Sequence, residues 1–537
     1  MAVSTPDLPH DVFVIGGGIN GCGIARDAAG RGLSVALAEM NDLASATSSA
    51  STKLFHGGLR YLEYFEFRLV REALIERETL LKAMPHISWP MRFVLPYHKD
   101  MRFEGGTPTA RLLSTIMPWM KDRRPAWLIR LALFMYDNLG GRKILRGTST
   151  LDLTGTAEGA PLNDRFAKAF EYSDCWVEDA RLVVLNARDA VARGATIMVR
   201  TKVVSAERVS GLWRIETQDT DTGTTATHFA RLIVNAGGPW VGDIIRHTVR
   251  SNSTEGVRLV RGSHIITKQL FDHEKCYFFQ GTDGRIIFAI PYEQDFTLIG
   301  TTDVEHADPS VAPVCTDAER DYLLAFANQY FKRQLGVDDI VATYSGVRPL
   351  FDDGAHSATA ATRDYTLKLD ATGGAPLLNI FGGKITTYRR LAESAMNKIS
   401  EFFPELPGKW TAGVPLPGGD FDVARTGSIL ERLKSEFPFL SEFWAKRLIR
   451  AYGTEAWTIL AGAKSPDDLG QDFGATLREA EVRWQIDNEF ARKAEDIVWR
   501  RTKLGLRLNS QQIDALQDWI DTNATTSAPA TAAAAAG

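Results

Sequence analysis

The sequence predicts an α/β protein, α+β over its full length, organised around a parallel nucleotide-binding sheet. Three observations lead there. Asp11 to Ile15 is a short apolar run that enters Gly16-Gly17-Gly18-Ile19-Asn20-Gly21, a match to G-x-G-x-x-G. Ile19 to Ala29 has helical character and closes on Gly30-Arg31-Gly32. A second run, Leu33 to Ala38, ends at Glu39, 18 residues after the last glycine of the fingerprint. Strand, helix, strand and acid form one βαβ unit, the context without which the glycine pattern is weak. Gly16 allows the tight turn, Gly18 lets backbone approach a pyrophosphate, and Gly21 lets helix pack on strand. The unpaired N–H groups that open the helix, at Ile19 and Asn20, favour phosphate. Glu39 can accept hydrogen bonds from an adenosine ribose. The pattern does not separate FAD from NAD.

Bulk properties narrow the class. A chain of 537 residues, 44% apolar and 24% charged, can bury a large core in more than one domain. A net charge of -4 supplies no global basic field for nucleic acid. Cys22, Cys175, Cys276 and Cys315 are scattered without a C-x-x-C, which favours free thiols over a disulfide framework or zinc site. The first residues show no basic region followed by an apolar run, so no secretory signal is expected. The best apolar stretch, Ala126 to Tyr136, is short and carries Arg130, so no spanning helix is expected either.

Beyond Glu39, Ser45 to Thr52 is a polar loop of small residues, suited to lining a cofactor path or to a plain surface turn. His56-Gly57-Gly58-Leu59-Arg60-Tyr61 follows; its glycine pair lets backbone approach a flat or bulky group, with Arg60 and Tyr61 facing the same cavity. Leu62 to Ala83 reads as a helix, with Phe67, Val70, Leu74 and Leu81 on one face and an Arg68–Glu72 pair. Arg111 to Arg146 carries eight Lys or Arg against two Asp, interleaved with aromatic and aliphatic residues. That composition suits an interfacial membrane segment; the alternative is a packed helical pair with a basic rim. Leu182 to Gly194 reads as a helix, and Ala195 to Ala236 as a three-stranded meander with turns at Ser210-Gly211 and Thr222-Gly223. The meander runs into Asn235-Ala236-Gly237-Gly238-Pro239-Trp240, a second backbone approach to a ligand or a simple strand-to-helix turn.

Ser263 to Lys268, Arg285 to Pro291 and Phe296 to Gly300 read as strands, with His264 in the first. A satisfied core or edge position is the commoner fate of a lone strand histidine. Ala318 to Leu335 looks helical, and Thr343 to Leu350 sets Arg348 beside Pro349. Leu378 to Phe381 enters Gly382-Gly383-Lys384-Ile385-Thr386-Thr387-Tyr388, a glycine turn and a helix start suited to a polar ligand edge. Pro404 to Gly419 reads as a linker, and Phe421 to Thr522 as nearly all helix. Gly453 closes one helix there, and Asn509 to Gln512 forms an Asn/Gln variant of a capping box.

The stretches IGGGINGCGIARDAAGRG, ATSSASTKLFHGGLRYLE, FEYSDCWVEDARLV, NAGGPWV, RGSHII, IGTTDVE, YSGVRPL and FGGKITTYRRLAE together resemble the aerobic, FAD-dependent, membrane-associated glycerol-3-phosphate dehydrogenases, over about residues 10 to 520. Two stretches depart from the resemblance: an apparent insertion around Phe103 to Lys121 and the alanine-rich tail after Thr522. The resemblance implies a glutathione-reductase/D-amino-acid-oxidase-like FAD-binding domain in three segments, about 10–90, 160–245 and 340–403. The intervening segments supply a β-sheet substrate domain, followed by a linker at 404–420 and an all-helical domain at 421–522, while the low-complexity composition beyond it reads as a disordered tail at 523–537. It implies oxidation of sn-glycerol 3-phosphate to dihydroxyacetone phosphate, with electrons passing through FAD to a membrane quinone. The protein is then cytoplasmic and peripherally attached to the inner face of the cell membrane, with no nucleic-acid partner and with a homodimer left open. The alternative is a related FAD-dependent oxidase that passes electrons to oxygen, acting on glycerol 3-phosphate or a small amine.

On this resemblance FAD is expected against Gly16, Gly18, Ile19, Asn20, Gly21 and Glu39, then Thr47, Ser48 and Ser51, then His56, Gly57, Gly58 and Leu59. Val203, Ala236, Gly237, Gly383, Lys384, Ile385 and Thr386 complete the set. Oxidising a secondary alcohol with a flavin requires the C–H to face the flavin, the hydroxyl proton to leave and the phosphate to be held. Arg60, Arg348 and Lys384 come from motifs expected to converge there, with Tyr61 adding a hydrogen bond. His264 is the candidate base, helped by Arg348 polarising the oxygen; His56 competes but is placed against the flavin.

Overall fold

The computed structural model describes residues 4–99, 101, 107–109, 115, 124–251, 255–281, 285–352 and 364–523. Most of the expected insertion at 103–121, the first third of the basic 111–146 segment apart from residue 115, and all but the first residue of the 523–537 tail lie outside these residues.

His10–Ile15 is the central strand of the first sheet. It pairs in parallel with Val35–Ala38 on one side and Thr225–Asn235 on the other. Thr196–Met198 and Leu377–Phe381 extend the sheet, also in parallel, and Thr366–Asp370 adds an antiparallel edge. Val12 to Ile15 is apolar at every position because both faces are covered. Val12 and Val14 pack among the helices Ile19–Gly30, Asp179–Ala192 and Tyr388–Ile399. Phe13 and Ile15 pack on the other face, against Trp213 and Ile215 of the meander. That meander is Thr201–Val209, Leu212–Asp219 and Thr225–Asn235, as its turns predict.

Among the described residues the second sheet has ten strands and is mostly antiparallel. Val257–Lys268 is its longest-range hub, paired with Phe296–Gly300 and Ile340–Phe351. Lys168–Val177 and Ile340–Phe351 belong here by their hydrogen bonds, although the sequence reading sets both in the FAD-binding segments. Ser88–Tyr97 is a strand that sequence patterning did not identify, because Pro90 and Pro96 demote it. Its contact with Cys276–Gln280 involves only Phe93 and Val94, so neither proline nitrogen is needed on that side.

The predicted 62–83 helix divides. Leu59–Tyr64 is a 3₁₀ turn, Phe65 reverses direction at φ +60°, and the α-helix is Phe67–Ala83. Val70, Leu74 and Leu81 are buried, but Phe67, expected on the same face, stays 38% exposed and stacks on Phe65. Arg68 does lie 3.8 Å from Glu72, yet its closer partner is Asp364 at 2.5 Å.

The C-terminal region is helical, apart from a small Asp472–Gly474/Leu477–Arg478 ladder. Its last helix opens on the expected reciprocal cap. Gln512 N–H donates to Asn509 Oδ1 at 2.9 Å, and Asn509 N–H donates to Gln512 Oε1 at 3.0 Å.

One buried histidine gives the fold a pH dependence. His228 lies beneath the meander, 3.2 Å from Thr217 Oγ1, and burial, then the neighbouring His10, push its pKa down to about 4. The unfolded chain protonates this imidazole near 6.5 and the folded one resists. The associated stability is present above the unfolded value and is lost as pH falls towards the folded one, about 3 kcal/mol in all. His228→Gln is expected to flatten the fall in melting temperature between neutral pH and pH ~4.5; an unchanged slope would remove His228 from that role.

Candidate active site

A cavity of about 960 Å³ runs between the two sheets. Ile15, Ala38, Ala236 and Gly382 line it, each at or just beyond the carboxyl end of a parallel strand, where open α/β sheets bind ligands.

The nucleotide half follows from glycines. A Cβ on Gly16, whose φ is +112°, would stand 2.5 Å from Ala236 O; on Gly21 it would collide with Gly16 O. These glycines close the turn. Gly18 does line the cavity and has only Ser48 Oγ nearby, so backbone there is open to a ligand. Glu39 accepts from Gly17 N at 2.7 Å and Asn41 N at 2.8 Å. Burial raises its pKa, while the two N–H groups favour the carboxylate. Asn20 Nδ2 donates to Gly382 O at 3.1 Å, tying the first glycine motif to the last. Asn20 Oδ1 is buried without a hydrogen-bond partner, a polar atom facing a polar-ligand site. These groups fit a dinucleotide such as FAD.

Of the FAD residues expected, all line the cavity except Gly21 and Gly57. Gly21 serves helix-on-strand packing. Gly57 is required because a side chain would strike Leu74. Its N–H donates to Tyr136 Oη at 2.7 Å, and Tyr136 Oη donates to Asp174 at 2.8 Å. Asp174 is paired with Arg77 at 2.5 Å; burial pushes its pKa up and Arg77 opposes that. This buried network holds the His56–Tyr61 turn from behind. The loop hydroxyls are likewise engaged in structure. Thr47 Oγ1 donates to Val347 O at 2.6 Å and Ser51 Oγ to Asp179 at 2.8 Å.

At the other end, Arg60, Tyr61, Lys384 and Arg348 line the same cavity from three distant segments. Lys384 Nζ lies 3.7 Å from the centre of the Tyr61 ring. Arg348 is paired with Asp303, and its Nη2 donates to Thr301 Oγ1 at 3.2 Å. Asp303 and Thr301 also line the cavity; their IGTTDVE motif was visible in the sequence, but no residue type marked Asp303 as the partner of Arg348. Asp174, within FEYSDCWVEDARLV, was missed for the same reason.

His264 does not line the cavity. It is 1% exposed, stacked on Tyr344 at 4.6 Å, with Nε2 3.0 Å from Thr52 Oγ1. Burial, then the charges of Arg348 and Lys53, push its pKa well below the ordinary value. The expected direct contact of His264 with the cavity is therefore absent, and the Thr52 hydroxyl, which does line the cavity, stands against its Nε2.

A two-sheet fold with this glycine-cradled cavity defines an FAD-dependent oxidoreductase. Residues 11–389 match the family model described as FAD dependent oxidoreductase, and 409–527 match the C-terminal domain of alpha-glycerophosphate oxidase. The chain belongs to the family of FAD-dependent glycerol-3-phosphate dehydrogenases. It is 47% identical to the aerobic glycerol-3-phosphate dehydrogenase of Escherichia coli, over 95% of this chain and 97% of that one. It is 51% identical to the D-erythritol 1-phosphate dehydrogenase of Brucella abortus, with the same coverage. The glycerol-3-phosphate dehydrogenase of Bacillus halodurans, solved with FAD, superposes with a TM-score of 0.70 at 26% identity, covering 96% of this chain and 94% of that one.

Proposed function

We propose that the chain oxidises sn-glycerol 3-phosphate to dihydroxyacetone phosphate and passes the two electrons to a membrane quinone. The observation that carries this is the set of cations Arg60, Lys384 and Arg348 on the wall of the cavity that holds the dinucleotide cradle. A phosphate dianion calls for such a cluster, with arginine binding in a fork and lysine as a point charge. FAD held in this cradle would supply the hydride acceptor that the reaction needs. Arg60, Lys384 and Arg348 hold the phosphate, Tyr61 donates to it, and Arg348 also polarises the reacting oxygen. The alcohol proton passes to Thr52 Oγ1 as that hydroxyl hands its own proton to neutral His264 Nε2. Burial is the larger cause of the low basicity of His264, and an incoming dianion offsets the smaller part that comes from Arg348 and Lys53.

D-erythritol 1-phosphate is a second reading, favoured by the 51% identity to the Brucella enzyme. One experiment separates the possibilities. Protein carrying FAD is mixed without oxygen with each polyol phosphate, with glycerol and with small amines, and the flavin absorbance is followed. Rapid bleaching by sn-glycerol 3-phosphate alone, reversed by a quinone analogue, is the expected result. Faster bleaching by D-erythritol 1-phosphate would move the assignment to that substrate. Peroxide on admitting air at a rate matching turnover would support the oxidase alternative, and no bleaching by any phosphate would sink the reading.

Attachment to the inner face of the cell membrane rests on helix Ala126–Leu139. No helix among the described residues is long and apolar enough to cross a membrane. This one buries Ile129, Leu133 and Tyr136 but leaves Trp127, Leu131 and Phe134 about half exposed on its other face. Exposed Phe65 and Phe67 add to the apolar surface. Changing Trp127, Leu131 and Phe134 together to Ser is expected to weaken sedimentation with anionic vesicles by about 3 kcal/mol, roughly a hundredfold. Unchanged sedimentation would move the contact elsewhere.

A further inference from the structure

The helical C-terminal region carries no residue on the cavity wall among the described residues, yet it is bound to both rims of the cavity's nucleotide end. One rim is the loop after Glu39. Asp42 in that loop is 1% exposed and does not line the cavity, although its neighbours Met40, Asn41, Ala44 and Ser45 do. Its carboxylate is taken by two consecutive arginines of the 496–501 helical segment. Arg500 Nε donates to Asp42 Oδ2 at 2.5 Å, and Arg501 donates to both oxygens at 2.5 and 2.8 Å. Arg501 also donates to Glu489 O at 2.6 Å.

The other rim is the start of the Thr201–Val209 strand, where Thr201, Lys202 and Val203 face the cavity. The preceding Arg200, at φ +54°, pairs with Asp496 at 2.7 Å, and Asp496 pairs with Arg500 at 2.5 Å. Arg200 N–H donates to Asn41 O and Thr201 N–H to Glu39 O, so the two rims are also stitched to each other. The ion network spans about 300 to 460 residues of sequence separation, and Asp42, Asp496, Arg500 and Arg501 are all buried.

We propose that Asp42, Arg200, Asp496, Arg500 and Arg501 form a latch by which the C-terminal domain holds the adenosine end of the FAD site closed. These are positioning residues: they touch the rims and not the cavity. Buried charges of this kind hold their elements in one arrangement, since breaking any partner leaves an uncompensated ion. A site whose two rims are set by one distant segment binds its ligand more tightly when that segment is docked. By linkage, the ligand then tightens the docking by the same factor. The inference rests on the adenosine half of FAD lying beside Glu39.

The test uses the full chain. FAD is removed and titrated back, with affinity read from quenching of flavin fluorescence, for native protein, Asp42→Asn, Arg501→Met and Glu39→Ala. Arg92→Met is the control, breaking the Arg92–Glu171 pair of the second sheet at 2.6 Å. Asp42→Asn and Arg501→Met are expected to raise the FAD dissociation constant about tenfold or more, within the span usual for coupled sites, while Arg92→Met leaves it in place. Hydrogen exchange on native protein supplies the reciprocal reading, which does not depend on variants folding. FAD is expected to slow exchange of the 496–502 amides. Exchange there indifferent to FAD overturns the latch. So does an unchanged constant in Asp42→Asn beside a weakened one in Glu39→Ala. An unchanged constant in both overturns the latch together with the placement of the adenosine end.

Discussion

Arg348→Met is expected to lower kcat/KM for sn-glycerol 3-phosphate by about a hundredfold or more while FAD stays bound. The reason is geometric. Arg348 stands on the cavity wall with its fork already aligned by Asp303 and Thr301, so it meets an anionic or polarised oxygen without reorganising. Losing one partner of such a charge-assisted contact costs ~2–5 kcal/mol, and ~1.4 kcal/mol is a factor of ten. The variant also leaves Asp303 unpaired on the wall, and that negative charge repels a phosphate. Arg348→Lys keeps the charge but loses the fork, so it should recover only part of the activity. Lys384→Met removes a point charge and should act mainly through KM. A structural artefact is separated by comparing substrates: the variants should lose the preference for glycerol phosphate over unphosphorylated glycerol, as read from anaerobic flavin reduction. Intact preference in both variants would remove the phosphate clamp from the mechanism.

The second large effect is on stability. Lys53 is 1% exposed, its Nζ donates to Asp179 at 2.8 Å and to Ser49 O at 3.0 Å, and it lies 5.1 Å from the centre of the Tyr344 ring. Asp179 is fully buried and also accepts from Ser51 N and Ser51 Oγ. Burial works against its charge, but Lys53, Lys503 and the hydrogen bonds hold its carboxyl below the usual range. Lys53→Met strands this carboxylate and should cost about 3–5 kcal/mol at neutral pH, seen as a lower melting temperature. The sign with pH follows. The pair's stabilisation is present above the unfolded carboxyl value and fades as pH falls through the depressed folded one. In Lys53→Met the Asp179 pKa rises, protonation relieves the stranded charge sooner, and the gap to the native protein narrows towards pH ~4. Lys53→Met with Asp179→Asn should regain part of the loss, a coupling that a double-mutant cycle measures. A gap independent of pH, with no coupling, would show that the lysine acts through packing alone.

Local physics wrote much of this protein plainly into its sequence. The βαβ unit, the meander turns, the Asn509–Gln512 cap and the glycine motifs each depend on neighbours within a few residues. Their spacing announces them. The Gly16–Gly21 turn marked a dinucleotide, because a pyrophosphate needs it whatever surrounds it, and the family resemblance supplied FAD as the dinucleotide. Where reading failed, a long-range partner decided. Pro90 and Pro96 hide a strand that the distant Lys168–Val177 segment pairs along its whole length. Phe67 sits on the expected helical stripe but beyond the edge of the core.

The site divides along the same line. The sequence announced the nucleotide cradle by its own spacing and nominated Arg60, Lys384 and Arg348 as cations of one site only through its resemblance to a family. Only the tertiary structure decided that Asp303 holds Arg348, that Asp174 and Arg77 brace the glycine turn, and that Thr52 stands between His264 and the cavity. A backbone turn is specified by the residues that make it. A buried charge or a proton path is specified by whichever side chain folding brings within about 3 Å, and nothing in the spacing of residues hundreds of positions apart encodes that distance.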